Sequence, residues 1–303
     1  MEHLDTALPG VTYVYMICTH SYGKANEAES HSRIEIIDDE EIMPDQVKWI
    51  NKLKGARVLV IGGTSGLGFG VAEASVEHGV SKLIISSSSQ KRLDDAVSKL
   101  KNSYPSSSTE ITAYQCDLAD ESKLSQNVQD LFSKVGELDH IIFTAGDAPL
   151  LTPFIDSNFE SIKQAGMVRF FAPLLVGRYG YKNLVASPAS SIVLTSGASS
   201  EKPIPGWTAT SSYLSGLHGM MRGMAVDLKP IRVNLVIPGG VDTEMWNILD
   251  QESREGVVEE LKRQTTTGRV GTVQNIAEAY LYCMKDHNVT GSTISTNGGR
   301  FLV

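Results

Sequence analysis

The stretch VLVIGGTSGLG, residues 58–68, decides the fold of this chain. Its first five residues are apolar or small and mostly β-branched, which predicts a strand buried on both faces. Glycines follow at positions 62, 66 and 68, and the spacing from Phe69 predicts a helix that stops at Gly79. Strand, glycine-rich turn and helix in this order are typical of a dinucleotide site, where the helix N-terminus faces a pyrophosphate. The alternative is an ordinary strand-to-helix turn that happens to carry glycines.

Composition narrows the class of protein. With 303 residues, the chain has room for one large α/β domain or two small ones, and 41% hydrophobic with 20% charged residues suits a soluble globular protein. A net charge of −8 argues against nucleic-acid binding. The three cysteines, Cys18, Cys116 and Cys283, show neither disulfide nor metal spacing, which favours a reducing, cytoplasmic location and no metal. No apolar run approaches the roughly 20 residues of a membrane helix.

Residues 1–50 do not share the pattern of the rest, and we predict that they form a flexible N-terminal extension. The apolar segment Val11–Cys18 has no basic residues before it, so a signal peptide is not expected. An acidic stretch, Glu27–Glu41, follows. An equal alternative to a flexible extension is that the start upstream of Met43 is misassigned. A third is that this segment forms a strand that clasps a dimer partner.

From residue 51 to residue 303 the sequence alternates between strand and helix patterns. Strands are predicted at 58–62, 82–86, 111–117, 138–146, 191–196, 231–237 and 293–296, and helices at 69–79, 92–100, 124–135, 159–179 and 210–228. The helix at 159–179 is expected to kink at Pro173. Such alternation predicts an α/β domain with a doubly wound parallel sheet of about seven strands and helices on both faces. Ligands are then expected beyond the carboxyl ends of the strands.

Four further motifs follow the glycine turn in a familiar order: Cys116-Asp117-Leu118, Thr144-Ala145-Gly146, Arg232-Val233-Asn234 and PGGVDT at 238–243. Together the five motifs resemble the short-chain dehydrogenase/reductase family, from about residue 53 to the C-terminus. The resemblance implies a single Rossmann domain, an oxidoreductase with a nicotinamide cofactor and a small-molecule substrate, and usually a homodimer or homotetramer.

The resemblance also implies which residues contact the cofactor. It places Gly62, Thr64, Ser65 and Leu67 at the pyrophosphate, Asp117 and Leu118 at the adenine edge, Ala145 and Gly146 under the adenine ribose, and Gly239, Val241 and Thr243 on the nicotinamide side. Taken singly, each of these residues is as well explained as part of a turn or of the core.

The end of the second predicted strand selects between NAD and NADP. An NAD site needs a carboxylate there to accept from the ribose hydroxyls. This chain has four serines at 86–89, then Gln90, Lys91 and Arg92, with no acid before Asp94. Hydroxyl donors and a cation suit a 2′-phosphate, which predicts NADP held by Ser87, Ser88 and Arg92. The alternative is that Lys91 and Arg92 simply begin a solvated helix face.

The family's catalytic residues are replaced in this chain. Counting back from Arg232-Val233-Asn234 without a gap, the family's Tyr falls on Thr210 and its Lys, four residues later, on Leu214. The family's Ser falls on Gly197, and the Asn of the preceding helix falls on Gly166. This pattern is similar to an atypical group of fungal secondary-metabolism reductases that lack the Ser-Tyr-Lys set and include bifunctional reductase/Diels–Alderases.

Three residues are candidates for the catalytic site. Tyr213 lies one helical turn from Thr210, but no Lys follows it by four residues, and an unshifted Tyr is a poor acid at neutral pH. Arg169 lies three residues after Gly166 and would lie near cofactor or substrate. The resemblance makes Arg169 and Trp207 an active-site pair, Arg169 also contacting the cofactor, although the group's carboxylate position is Ile204 here. Each of the three is equally well explained as a packing residue.

Three functions remain open. The first is an NADPH-dependent reductase of a small organic substrate, with hydride delivered to an iminium carbon or, with Tyr213 or water as the proton donor, to a carbonyl. The second is a redox-neutral cyclase or isomerase that retains NADP(H) as a structural cofactor. The third is a non-catalytic NADP-binding protein. The replaced catalytic positions favour the second and third, and the PGGVDT motif favours the first.

Overall fold

The protein is organised around a parallel sheet. The structure, a computed structural model, describes residues 48–147, 153–244 and 250–303. In these ranges seven strands lie in the order β3-β2-β1-β4-β5-β6-β7, all parallel. They are β1 (Arg57–Ile61), β2 (Lys82–Ser87), β3 (Glu110–Gln115), β4 (His140–Phe143), β5 (Ser191–Thr195), β6 (Arg232–Pro238) and β7 (Thr293–Thr296). The predicted fold class is confirmed. The prediction for residues 1–50 falls, apart from 48–50, outside the described residues.

Helices cover the sheet. They are α1 (Gly66–Glu77), α2 (Gln90–Ser103), α3 (Leu124–Val135), α4 (Phe159–Gly166), α5 (Ala172–Gly180), α6 (Thr208–Asp227), α7 (Gln251–Arg263) and α8 (Val273–Lys285). Helices α7 and α8 were not predicted; α3 has the predicted bounds, and the other bounds differ from the predictions by a few residues. Within the described ranges, no helix is long and apolar enough to cross a membrane, and no cluster of side chains suits a metal ion.

The alternation of side chains along β1 divides the core into two halves. Val58 and Val60 point to one face, where α1, α2 and α8 pack. Leu59 and Ile61 point to the other face, where α3, α5 and α6 pack. Because both faces are covered, all four side chains are buried, which explains the unbroken apolar run in the sequence.

The helix predicted at 159–179 is interrupted in the turn before Pro173. A π-helical turn, Met167–Phe171, separates α4 from α5, and Pro173 lies in the first turn of α5. The cause is still the proline, because its ring lacks an N–H and would clash with the carbonyl of Arg169 in a regular helix. The disturbance therefore falls in the turn before Pro173, and Arg169 lies inside it.

The strand order reverses between β1 and β4, which are neighbours in the sheet although β2 and β3 come between them in sequence. A crevice forms at such a reversal, beyond the carboxyl ends of the strands. Here the glycine turn follows β1 and the motif Thr144-Ala145-Gly146 follows β4. The topology therefore brings the first and third of the sequence motifs to one place.

Candidate active site

The glycine turn touches the turn after β4 through backbone atoms. Gly62 has φ +91°, and a Cβ on it would lie 2.6 Å from the backbone nitrogen of Ala145. A Cβ on Gly68 would overlap both the carbonyl oxygen of Gly62 and the side chain of Thr144. No side chain fits at either position. The two glycines therefore allow α1 to start directly above the end of β1, as a dinucleotide site requires.

The N-terminus of α1 has no side-chain cap of its own. Ser65 precedes the helix without capping it, and the first turn carries no acid. Instead, Glu244 Oε2 accepts a hydrogen bond of 2.9 Å from the backbone nitrogen of Gly66. Thr243 also lies here, with its Cγ2 3.4 Å from where a Gly66 Cβ would stand. The carboxylate stands where a phosphate oxygen would bind, so this helix end fits the pyrophosphate of a dinucleotide.

The residues predicted to select NADP lie together at the end of β2. Arg92 Nη2 donates to Ser88 Oγ at 3.0 Å, and Gln115 Nε2 fixes the Ser88 carbonyl at 2.8 Å. Thr64 Oγ1 donates to Ser87 Oγ at 3.3 Å, which joins this cluster to the glycine turn. One cation and several hydroxyls thus meet where a 2′-phosphate would lie.

The remaining predicted cofactor contacts differ in how far their side chains are exposed. Asp117 is exposed, and its carboxylate accepts from the nitrogen of Ala119 at 3.0 Å. Leu118 is buried in the core, so that only its backbone could meet a ligand. Ala145 is partly buried and Gly146 exposed, above the crevice. Leu67 is half-buried and packs against the core under α1.

The PGGVDT segment is held from two sides. Gly239 packs on Asn297, where a Cβ would lie 2.8 Å from the Asn297 Cα, and buried Val241 forms a bridge to Gly271. Asp242 forms an ion pair with Arg254 of α7. Thr243 then reaches the glycine turn. The structure therefore brings the first and last sequence motifs together.

Arg169 points at the turn after β4. Its Nε lies 3.1 Å from Asp147 Oδ1, and its Nη2 donates to the Asp147 carbonyl oxygen. The guanidinium also lies against Gly146, where its Nη1 would be 3.3 Å from a Cβ. Burial lowers the pKa of Arg169, and the charge of Asp147 opposes that shift. Asp147 Oδ1 is buried and, within the described residues, receives no hydrogen bond of good geometry.

The positions of the family's Tyr and Lys are apolar and closed. Thr210 is 2% exposed and Leu214 is 4% exposed. A Cβ on Gly197, the Ser position, would lie 3.5 Å from Leu214 Cδ1. The leucine side chain therefore fills the space beside the Ser position, and helix α6 contains no lysine at all.

Tyr213 is packed between helices. Its ring lies on Gly166, where a Cβ would be 2.5 Å from Tyr213 Cζ, and it contacts Phe170 and Phe171 with ring centroids 5.4 and 6.0 Å away. A glycine at the family's Asn position therefore makes room for this ring. These contacts favour the packing interpretation of Tyr213 over a catalytic one.

Trp207 is half-buried at the N-terminus of α6, and its backbone nitrogen donates to Ile204 at 3.0 Å. Within the described ranges no hydrogen bond, ion pair or ring contact joins Trp207 to Arg169 or Tyr213. Sequence reasoning had missed Asp147 and Glu244. Their signal was position, because each directly follows a recognised motif.

Comparison with known proteins agrees with this geometry. A family model described as an SDR-like Rossmann domain matches residues 49–303. The chain belongs to the short-chain dehydrogenase/reductase family and is an oxidoreductase of that family, whose fold binds a nicotinamide cofactor.

Its relatives include fungal proteins. The short-chain dehydrogenase/reductase fsr5 of Gibberella fujikuroi is 45% identical over 84% of this chain and 98% of its own length. The solved MalC reductase/Diels-Alderase from Malbranchea aurantiaca is 38% identical, with a TM-score of 0.79 over 84% of this chain and 99% of that one. A small-chain dehydrogenase solved with NADPH shares the fold, at 24% identity and a TM-score of 0.66 over 82% of this chain and 100% of that chain.

Proposed function

We propose that the protein is an NADPH-dependent reductase of a small organic substrate that works without the family's Tyr/Lys proton relay. The observation that carries the proposal is the burial of Thr210 and Leu214, which stand at the family's Tyr and Lys positions, beside an intact nicotinamide-side motif. NADPH, when bound, supplies hydride. A carbon that is already cationic, such as that of an iminium, needs no proton as hydride arrives, so the missing relay would cost nothing there.

The choice of NADP rests on the end of β2. Ser87, Ser88 and Arg92 would hold the 2′-phosphate, Gly62 to Leu67 the pyrophosphate, and Val241 and Thr243 the nicotinamide side. Ser88 and Arg92 are already joined by a 3.0 Å hydrogen bond, and no carboxylate stands among residues 86–93 to repel the phosphate.

In this proposal Arg169 is the residue that positions cofactor and substrate. Its guanidinium is anchored on Asp147 at the edge of the crevice, and its buried position keeps water away from it. Trp207 would face the substrate from the start of α6. The Asp147 carboxylate would offset the arginine charge, so that a cationic substrate is not repelled.

The test compares substrates of the same skeleton. Cyclic iminium salts and the matching ketones are offered with NADPH carrying deuterium at the transferred position. We expect label in the reduced amine and little or none in the alcohol. Rapid reduction of the ketones, abolished in Tyr213→Phe, would overturn the proposal and make Tyr213 the proton donor.

A second candidate function is a redox-neutral cyclisation with NADP(H) retained, and the likeness to the MalC reductase/Diels-Alderase favours it. It would show as substrate conversion with no net NADPH oxidation and no label transfer. A purely NADP-binding role would show as tight binding without any turnover.

We also propose a homodimer or homotetramer in the cytoplasm. The oligomer is supported by large apolar side chains left exposed on α4, α5 and α6, among them Phe159, Leu174 and Val226. Buried, unpaired Cys116 and Cys283 suit a reducing compartment. Light scattering after size exclusion tests the assembly, and a monomer at micromolar concentration would contradict it. Fractionation of native cells tests the location.

A further inference from the structure

A pocket of about 280 Å³ lies at the carboxyl edge of the sheet, beside the loop that leads to Trp207. Three segments form its walls: the loop after β5, the end of α7 and the turn after β7. Besides two prolines, the lining residues are Lys202, Ile204, Arg263, Gln264, Arg300 and Val303. Among these described lining residues, three side chains are cationic and none is acidic.

Hydrogen bonds fix these segments to one another. Lys202 Nζ donates to the carbonyl oxygen of Arg300 at 3.1 Å and to the main-chain oxygen of Val303, the last residue. On the other side, Thr266 Oγ1 donates to Gly298 at 3.1 Å, just after the end of α7. The pocket is therefore built from ordered backbone, and the ammonium of Lys202 is already used to hold it.

Of the three pocket cations, Arg300 is the one whose side chain has no partner in the described part of the chain. The residue is 8% exposed, yet its guanidinium makes no hydrogen bond or ion pair with any described residue. Hydrogen bonds from Gln264 and Arg263 lower the pKa of Glu260 on α7. The charge of Arg300 adds a smaller contribution to this shift. No ion pair within 4 Å results. The Arg300 side chain is therefore largely enclosed while its charge lacks a close counter-ion, and a bound anion would supply one.

We propose that this pocket binds the oxyanion group of a small molecule, a carboxylate or a phosphate, on the guanidinium of Arg300. The planar fork of an arginine matches either group with two parallel hydrogen bonds. Ile204 and the two prolines offer apolar contact to the body of the ligand, and the volume suits a small organic acid. Arg263, exposed at the rim, adds attraction over distance. The site goes beyond the proposed reductase function and does not depend on it.

The test measures binding of benzoate and of inorganic phosphate by calorimetry at constant ionic strength. The protein is saturated with NADP⁺, so that phosphate sites of the cofactor are filled. We expect Arg300→Met to weaken binding of both probes by about tenfold or more, because a charge-assisted bidentate contact is lost. The matched control, Arg178→Met, removes an exposed cation of α5 that does not line the pocket, and it should change binding less than about threefold. Arg300→Lys should retain part of the affinity.

Two further measurements keep the inference testable if Arg300→Met fails to fold or if NADP⁺ does not bind. Wild-type crystals soaked in selenate should show an anomalous peak within hydrogen-bonding distance of Arg300. Benzoate should protect Arg300 from phenylglyoxal, as mapped by mass spectrometry. Absence of binding to the wild type, equal binding by a folded Arg300→Met, or a selenate peak only elsewhere would overturn it. Competition of benzoate with the substrate would assign the anion to the substrate, and non-competitive inhibition would assign it to a separate ligand.

Discussion

The Glu244 carboxylate accepts a 2.9 Å hydrogen bond from the backbone nitrogen of Gly66, at the N-terminus of α1. A dinucleotide pyrophosphate would need the same helix end, so the chain carries its own competitor for this position. Glu244 is exposed and directly follows Thr243, which belongs to the nicotinamide-side motif. Binding of a cofactor would therefore have to displace the Glu244 side chain.

Removing the charge of Glu244 should tighten cofactor binding. We expect Glu244→Gln to bind NADP(H) about two- to fivefold more tightly, since an anion at a helix end is worth roughly 0.3–1 kcal/mol. Fluorescence titration with NADPH measures the effect. Glu255→Gln, which removes the same charge from the exposed side of α7, is the control and should bind as the wild type does. Weaker binding by Glu244→Gln would mean that Glu244 assists the cofactor.

Arg92 should determine the preference for NADP. We expect Arg92→Ala to lose about tenfold in NADPH affinity and little in NADH affinity, because only the 2′-phosphate contacts the guanidinium. Calorimetric titration with both cofactors measures the change. Lys101→Ala, a charge change at the other end of α2, should alter neither. If the wild type binds NAD as tightly as NADP, the specificity proposal fails.

Arg169 should matter more for turnover than for stability. We expect Arg169→Ala to lower single-turnover NADPH oxidation with the true substrate about a hundredfold, as is common when a positioning contact is lost. The melting temperature should fall much less, although Asp147 loses its ion-pair partner. Arg178→Ala, an exposed charge change on α5, serves as the control. Normal turnover in Arg169→Ala together with an inactive Tyr213→Phe would identify Tyr213 as the acid.

Buried His140 should make the fold sensitive to acid. It is 4% exposed, with Nδ1 2.9 Å from Ser191 Oγ, and burial, with a contribution from Arg232, lowers its pKa to about 3. The unfolded chain takes up this proton near pH 6.5, while the folded chain resists it. The free energy of unfolding should therefore be highest above pH 6.5 and fall by on the order of a few kcal/mol as the pH drops toward 3.

Urea unfolding at pH 7 and at pH 4.5 measures this effect, and His140→Asn should be less sensitive to the change in pH than the wild type. His78→Asn, at a partly exposed position, should keep the sensitivity of the wild type. An equal pH dependence in wild type and His140→Asn would show that other groups are responsible.

The first 42 residues should be dispensable for folding. The seven strands and eight α-helices of the described ranges lie within residues 57–296, so a chain that begins at Met43 retains all of them. Its melting temperature and NADPH affinity should match those of the full chain. A large loss in either would show that the extension contributes to the domain.

Sequence patterns predicted the sheet well because its strands are buried on both faces and read as apolar runs. Helix α3 and strand β7 begin and end where predicted. Helix α7 was missed because none of its residues is fully buried, which leaves no apolar stripe to recognise. The contact between Ser88 and Arg92 could be predicted because the two residues are only four positions apart in the sequence. The pairs Glu244–Gly66 and Arg169–Asp147 join distant positions, and no local pattern predicts such contacts.

The π turn at residues 167–171 has a consequence for how this site could change. A turn with i→i+5 bonding holds one residue more than an α-helical turn, so it rotates the helix after it by roughly 100°. Deleting a single residue from this turn would turn α4 relative to α5 by about that angle, although Pro173 would still prevent one fully regular helix. The Arg169 side chain would then point away from Asp147, while every residue of the glycine turn stayed in place. The direction of the Arg169 side chain therefore depends on the number of residues in one helical turn, as well as on position 169 being an arginine.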